Sequence, residues 1–212
     1  TDNVACYEYS YKIINIPKTF IVVIGTVLFP KACNCIANRD MEGVKRYYKN
    51  SVQAVYFIGF ASIFGLLSIS DLFVNIYYGS NFSSCGNIIK SLTPIILIIG
   101  LGDIFRSQFL IPLKKDFQYT VCVVINALIN IVLSLVLIPK FEIYGAVIGT
   151  LAAELFGVLY QGYLVRKYIN VKQTFIASIP YFISGICMYF AIFIFKLYYN
   201  STIIHLLLQM IL

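Results

Sequence analysis

The sequence predicts an all-α, polytopic transmembrane bundle, and three observations carry that prediction. Hydrophobic residues make up 60% of the chain and charged residues only 12%, about half the charged share of soluble domains. The mean hydropathy is +0.85. The apolar residues gather into runs of roughly 20, the length a helix needs to cross the hydrocarbon core. A soluble chain this apolar would expose large patches to water, a cost that a bilayer removes. Barrel strands would alternate polar and apolar residues, whereas Ile95–Ile99 and Ile192–Phe195 are apolar at consecutive positions.

Spans are expected at about 13–33, 53–78, 88–112, 119–139, 143–165 and 175–196, and a seventh starts near Ile203. The opening Thr1–Tyr11 is more polar and is expected near the membrane surface. Residues 34–51 read either as a short amphipathic surface helix capped by Asn38 or Asp40 or as a solvated basic loop. Pro30, Pro112 and Pro139 are expected at helix ends, where a missing N–H costs little. Pro17, Pro94 and Pro180 are expected near or inside helix starts, with Pro94 as a kink. Tyr144-Gly145 marks a tight turn joining the fourth and fifth spans as a hairpin. The chain opens on Thr1 and its last apolar run stops at Leu212. The expectation is one transmembrane domain over 1–212, a piece of a longer protein.

The net charge is +7, yet the basic residues lie in loops between apolar runs, which excludes a nucleic-acid partner and points to membrane orientation. Lys31, Arg39, Lys45, Arg46 and Lys49 follow the first span, Lys114 and Lys115 the third, and Arg166, Lys167 and Lys172 the fifth. The intervening connections carry no charge, Lys140 and Lys196. The rich loops belong in the cytoplasm, so the first span runs from outside to inside. The cysteines Cys6, Cys33, Cys35, Cys85, Cys122 and Cys187 show no metal-ligand spacing. Four of the six lie in or beside apolar segments, where free cysteine behaves as a small hydrophobe. A structural role is expected for the set, and no metal or cofactor is expected.

Ionisable groups at depth are costly, so each is a candidate. Asp71 shares a helix face with Ser68 and Asn75. Asp103 and Arg106 are spaced to pair. Asn126, Asn130 and Ser134 line one face of the fourth span, and Glu154 shares a face with Thr150 and Gln161 in the fifth. One reading makes Asp71, Asp103, Arg106, Asn126, Asn130, Glu154 and Gln161 the polar lining of a substrate cavity, with guanidinium suited to phosphate. The other makes them interhelical hydrogen-bonding groups, the reading favoured for Asn126 and Asn130. Gly145, Gly149, Ala153 and Gly157 recur every four residues, a small-residue stripe for close helix packing. No phosphate loop, nucleophile elbow or zinc spacing is present, so no enzyme is expected.

The stretch Gln108–Glu154 carries a resemblance. Gln108 to Pro112 reads Q-x-L-x-P before a short charged loop, and Asn126 and Asn130 lie in a helix ending in L-I-P at Leu137 to Pro139. A glycine-rich helix opening follows at Gly145 to Thr150, then Glu154. Tyr9 to Lys12 and Leu28 to Lys31 fit the same pattern. Over Tyr7 to Val171 the chain resembles the polysaccharide biosynthesis protein family, repeat-unit flippases of the multidrug/oligosaccharidyl-lipid/polysaccharide exporter superfamily. It departs from the family at Lys31, where arginine is usual, and at Lys114, where a loop glycine is.

The resemblance implies the C-terminal lobe of a MATE-like two-bundle transporter, with the N-terminal lobe missing from this stretch of sequence. It implies alternating access to an undecaprenyl-diphosphate-linked oligosaccharide in the bacterial cytoplasmic membrane, serving O-antigen, capsule or exopolysaccharide assembly. Expected partners are that substrate, membrane lipids, the polysaccharide polymerase and chain-length machinery, and a coupling H+ or Na+. A cation-coupled drug or metabolite antiporter of the same superfamily is the alternative. A membrane polymerase is disfavoured by the short outer loops.

Overall fold

The computed structural model describes residues 2–79 and 84–198, and among these every regular element is helical. Helix α1 spans Asp2–Ala37 and α2 Met41–Tyr77; α3 (Ser84–Leu92) and α4 (Ile95–Phe105) form one broken span that ends in a π-helical stretch at Arg106–Leu110. Helices α5 (Asp116–Phe141) and α6 (Ile143–Val165) follow, then the short α7 (Val171–Ile176) and α8 (Ile179–Tyr198). Among the described residues six helical segments are long and apolar enough to cross a membrane, as the hydropathy predicts. The seventh expected span and His205 lie outside the described residues.

Three local expectations are corrected. The basic residues after the first span form neither a separate surface helix nor a loop. The chain turns at Asn38–Asp40 and residues 41–51 are the opening of α2, with Asp40 Oδ1 accepting from Gly43 N at 2.8 Å as its cap. Val44 and Tyr48 are buried there, so packing extends the span into charged sequence. The opening residues are likewise part of α1, which places Pro17 and Pro30 inside that helix. The turn between α5 and α6 is made by Glu142 at φ 49, not by Tyr144-Gly145. Gly145 lies within α6, where an added Cβ would sit 2.5 Å from the Leu137 backbone.

Pro94 behaves as expected: the α-helix is interrupted at Thr93–Pro94, between α3 and α4. This broken span is the centre of the bundle. In its most apolar window 61% of residues are buried, against 6% for α5, which packs chiefly on α6. Ile95, Ile96, Ile104, Phe109 and Leu110 fill the core. Lipid tails are as apolar as these side chains, so close van der Waals packing, rather than removal from water, holds such helices together. Gly100 shows how close: an added Cβ would lie 2.7 Å from Ile21 and 2.9 Å from Val55, on α1 and α2.

Both ends of the bundle are tied. Cys6 and Cys85 form a disulfide between α1 and α3, and Ser10 Oγ donates to the carbonyls of both, at 2.7 and 3.3 Å. At the opposite end Tyr48 Oη and Thr174 Oγ1 share a hydrogen bond of 2.7 Å, and Tyr56 Oη donates to the Thr174 carbonyl at 3.0 Å. These bonds fasten α7 to α2. The disulfide gives Cys6 and Cys85 a covalent structural role that their spacing does not indicate; Cys33, Cys35, Cys122 and Cys187 are free.

Candidate functional site

The polar wall of the bundle is built around the end of α4. Asp103 is buried, and its Oδ1 accepts from Arg106 through Nε at 3.2 Å and through Nη2. Its other oxygen, Oδ2, is buried without a hydrogen-bond partner among the described residues, as is Ser107 Oγ. From Arg106 the helix widens, and Ile111 N donates to the Arg106 carbonyl five residues back at 3.0 Å. Such π-helical turns recur at functional sites.

Helix α6 presents Glu154 and Gln161 to the same place, and α5 adds Tyr119. Together with Asp103, Arg106, Ile98 and Val158 they line a niche of about 120 Å³. The Arg106 guanidinium lies 5.9 Å from the Tyr119 ring centre. Gln161 is buried, with Oε1 unpartnered among the described residues. From α1, Lys18 stands close enough to Glu154 to act on it electrostatically, and its Nζ lies 3.5 Å from Tyr11 Oη. Tyr7 Oη and Thr150 Oγ1, 3.1 Å apart, extend the polar line between α1 and α6. Ligand pockets commonly measure about 300–1,000 Å³, so the niche suits an ion, water or one small polar group. It offers a cation, two carboxylates and an amide.

The seven candidates thus divide. Asp103, Arg106, Glu154 and Gln161 converge. Asp71 does not: it pairs with Lys90 at 2.5 Å across α2 and α3, at the disulfide end of the bundle. Asn126 and Asn130 face α6 instead of the niche. Asn126 covers Gly157, and Asn130 Oδ1 accepts from Ser134 at 3.1 Å beside Gly149. The small-residue stripe of Gly145, Gly149, Ala153 and Gly157 is buried, and its glycines receive α5. Lys18, Tyr119 and Ser107 were not singled out from the sequence. Lys18 lies within the first expected span, and the rule applied to Asp103 would have found it. Among the described residues no cluster of three or more His, Cys, Asp or Glu is placed to hold a metal ion.

The fold is that of a MATE-like transporter lobe, and the chain is a multi-pass membrane protein. It superimposes on the lipid II flippase MurJ in its inward closed conformation with a TM-score of 0.82, covering 99% of this chain and 44% of that one at 18% identity. The resemblance to the polysaccharide biosynthesis family holds: a family model described as "Polysaccharide biosynthesis protein" matches residues 1–87. Relatives include the "Probable low-salt glycan biosynthesis flippase Agl15" of Haloferax volcanii, 21% identical over 80% of this chain and 36% of that protein. Another is the lipid II flippase MurJ of Bacillus subtilis, 21% identical over 85% of this chain and 35% of that protein. The chain therefore spans little more than a third of the curated relatives it matches.

Proposed function

We propose that this chain forms one of two helical bundles of a flippase for undecaprenyl-diphosphate-linked oligosaccharides in the cytoplasmic membrane of a bacterium. The observation that carries the reading is the convergence of Asp103, Arg106, Glu154 and Gln161 on one niche of a largely apolar bundle. A sugar diphosphate must leave water to cross. A wall of hydrogen-bonding groups replaces part of its hydration, and Arg106 supplies charge and planar donors for phosphate oxygens. The niche alone is too small for a sugar, so the second bundle would complete the cavity. The relatives named as glycan or lipid II flippases support the same reading. Alternating access, a polymerase and chain-length proteins as partners, and transport without bond chemistry belong to it.

The second reading is a cation-coupled antiporter, favoured by one feature: Glu154 faces the niche and makes no ion pair among those described. The test is the leaflet distribution of lipid-linked repeat units after deletion of the full-length gene, with complementation by wild type, Arg106→Lys and Glu154→Gln. Accumulation on the cytoplasmic side, restored by wild type and poorly by Arg106→Lys, is expected. Unchanged lipid intermediates with altered drug efflux would overturn the flippase reading in favour of the antiporter.

A further inference from the structure

We propose that a second site, at the end of the bundle that the basic loops assign to the cytoplasm, binds the phosphate headgroup of an anionic membrane phospholipid. A cavity of about 850 Å³ lies between the start of α2 and the α6–α7 connection. Lys45, Lys49, Arg166 and Lys167 line it, and no carboxylate does. Glu42 offsets one of these charges, through its 2.8 Å pair with Lys45. The remaining cations come from two elements more than a hundred residues apart in sequence, brought together by the bonds of Tyr48 and Tyr56 to Thr174. The cavity walls are therefore fastened to one another, and the concentration of charge is a property of the fold.

A second observation selects a lipid over a free anion. Arg166 and Val171 also line an adjoining apolar slot of about 270 Å³, which continues along Phe105, Leu159, Gly162, Tyr163 and Phe175. Leu159, Tyr163 and Phe175 are exposed, so the slot opens on an apolar outer face suited to an acyl chain. Arg166 sits at the junction, its guanidinium 3.9 Å from the Tyr163 ring centre, a stacked position that leaves its edge free for phosphate oxygens. Basic pockets between helices on the cytoplasmic side are suited to anionic headgroups. Here the acyl chain has a place beside the head. This inference does not rest on the flippase reading, and its readout is binding instead of transport.

The experiment is native mass spectrometry of the full chain released from nanodiscs holding equal phosphatidylglycerol and phosphatidylcholine. Wild type is expected to retain the anionic lipid over the zwitterionic one by about tenfold or more, tenfold being roughly the scale of one or two basic side chains meeting an anionic headgroup. The preference should shrink as salt rises. Lys49→Gln with Arg166→Gln and Lys167→Gln should abolish it, while Gly162→Leu, which fills the slot, should lower retention of both lipids. Equal retention of the two lipids by wild type, or a salt-independent preference, overturns the proposal without any variant. Displacement of the lipid by inorganic diphosphate at equal concentration would reduce the site to one for free anions and also overturn it.

Discussion

Cys6 and Cys85, 79 residues apart in sequence, are joined by a disulfide with their Cα atoms 5.1 Å apart, tying the first turns of α1 to the start of α3. The basic-loop rule places both at the external end, where oxidising conditions let such a bond persist. Charge pattern and cysteine chemistry therefore agree on orientation, although they rest on unrelated physics.

The bond has a simple signature. Denatured without reductant, the protein should expose four alkylatable thiols, Cys33, Cys35, Cys122 and Cys187; after reduction it should expose six. Six thiols before reduction would show that the bond does not form in the cell. Cys6→Ser should lower stability by about 2–4 kcal/mol, the usual range for such a cross-link, read as thermal unfolding in detergent.

Removing one partner of the buried ion pair should cost more than removing both. Asp103→Asn strands the Arg106 charge, for which buried pairs lose about 3–5 kcal/mol. The Arg106 side chain is 32% exposed, and solvent screening reduces the expected loss to roughly 2 kcal/mol. Asp103→Asn with Arg106→Gln should recover much of it. A double variant less stable than the single one would show that the pair itself, not the stranded charge, sets the cost.

The α5–α6 hairpin should be intolerant of bulk at Gly145. A valine there forces the two backbones apart and should cost about 1–3 kcal/mol or more by overpacking. Gly65→Ala, where nothing lies within 4 Å of the added carbon, should be close to neutral. Comparable melting temperatures for the two variants would contradict the close approach of the hairpin.

Orientation can be read with single cysteines in a background that keeps only Cys6 and Cys85. A membrane-impermeant thiol reagent applied to intact cells should label Glu142→Cys and spare Asn38→Cys and Lys167→Cys. Labelling of the latter two would invert the topology, and with it the leaflet assigned to the basic cavity.

Much of the fold was legible because hydropathy depends on composition over some 20 residues, which local sequence cannot disguise. The Pro94 break was legible from local sequence; the α5–α6 hairpin was expected too, but its turn falls at Glu142 and not at Tyr144-Gly145. The opening of α2 was not: Lys45, Arg46 and Lys49 read as loop, while Tyr48 turns inward because Phe105, Phe109 and Thr174, from distant parts of the chain, are there to receive it. The candidate site was half legible. Spacing paired Asp103 with Arg106 and aligned Glu154 with Gln161, but one-helix reasoning cannot tell which helices meet. It therefore grouped Asp71 with residues that the fold keeps far from it and passed over Lys18. The disulfide needed the same missing knowledge, since its partners lie on different helices.

The widened turn at Arg106–Leu110 has a consequence for how chain length is accommodated. An α-helix advances 100° per residue, and this turn holds about one residue beyond the α-helical count. Elsewhere in the span, deleting a residue would swing everything downstream onto the wrong face. Here a deletion would let the turn close to ordinary helix, at the cost of one side chain's contacts, with Ile104 and Leu113 keeping their bearings. The core span thus has one position where length is elastic, and it adjoins the Asp103–Arg106 pair.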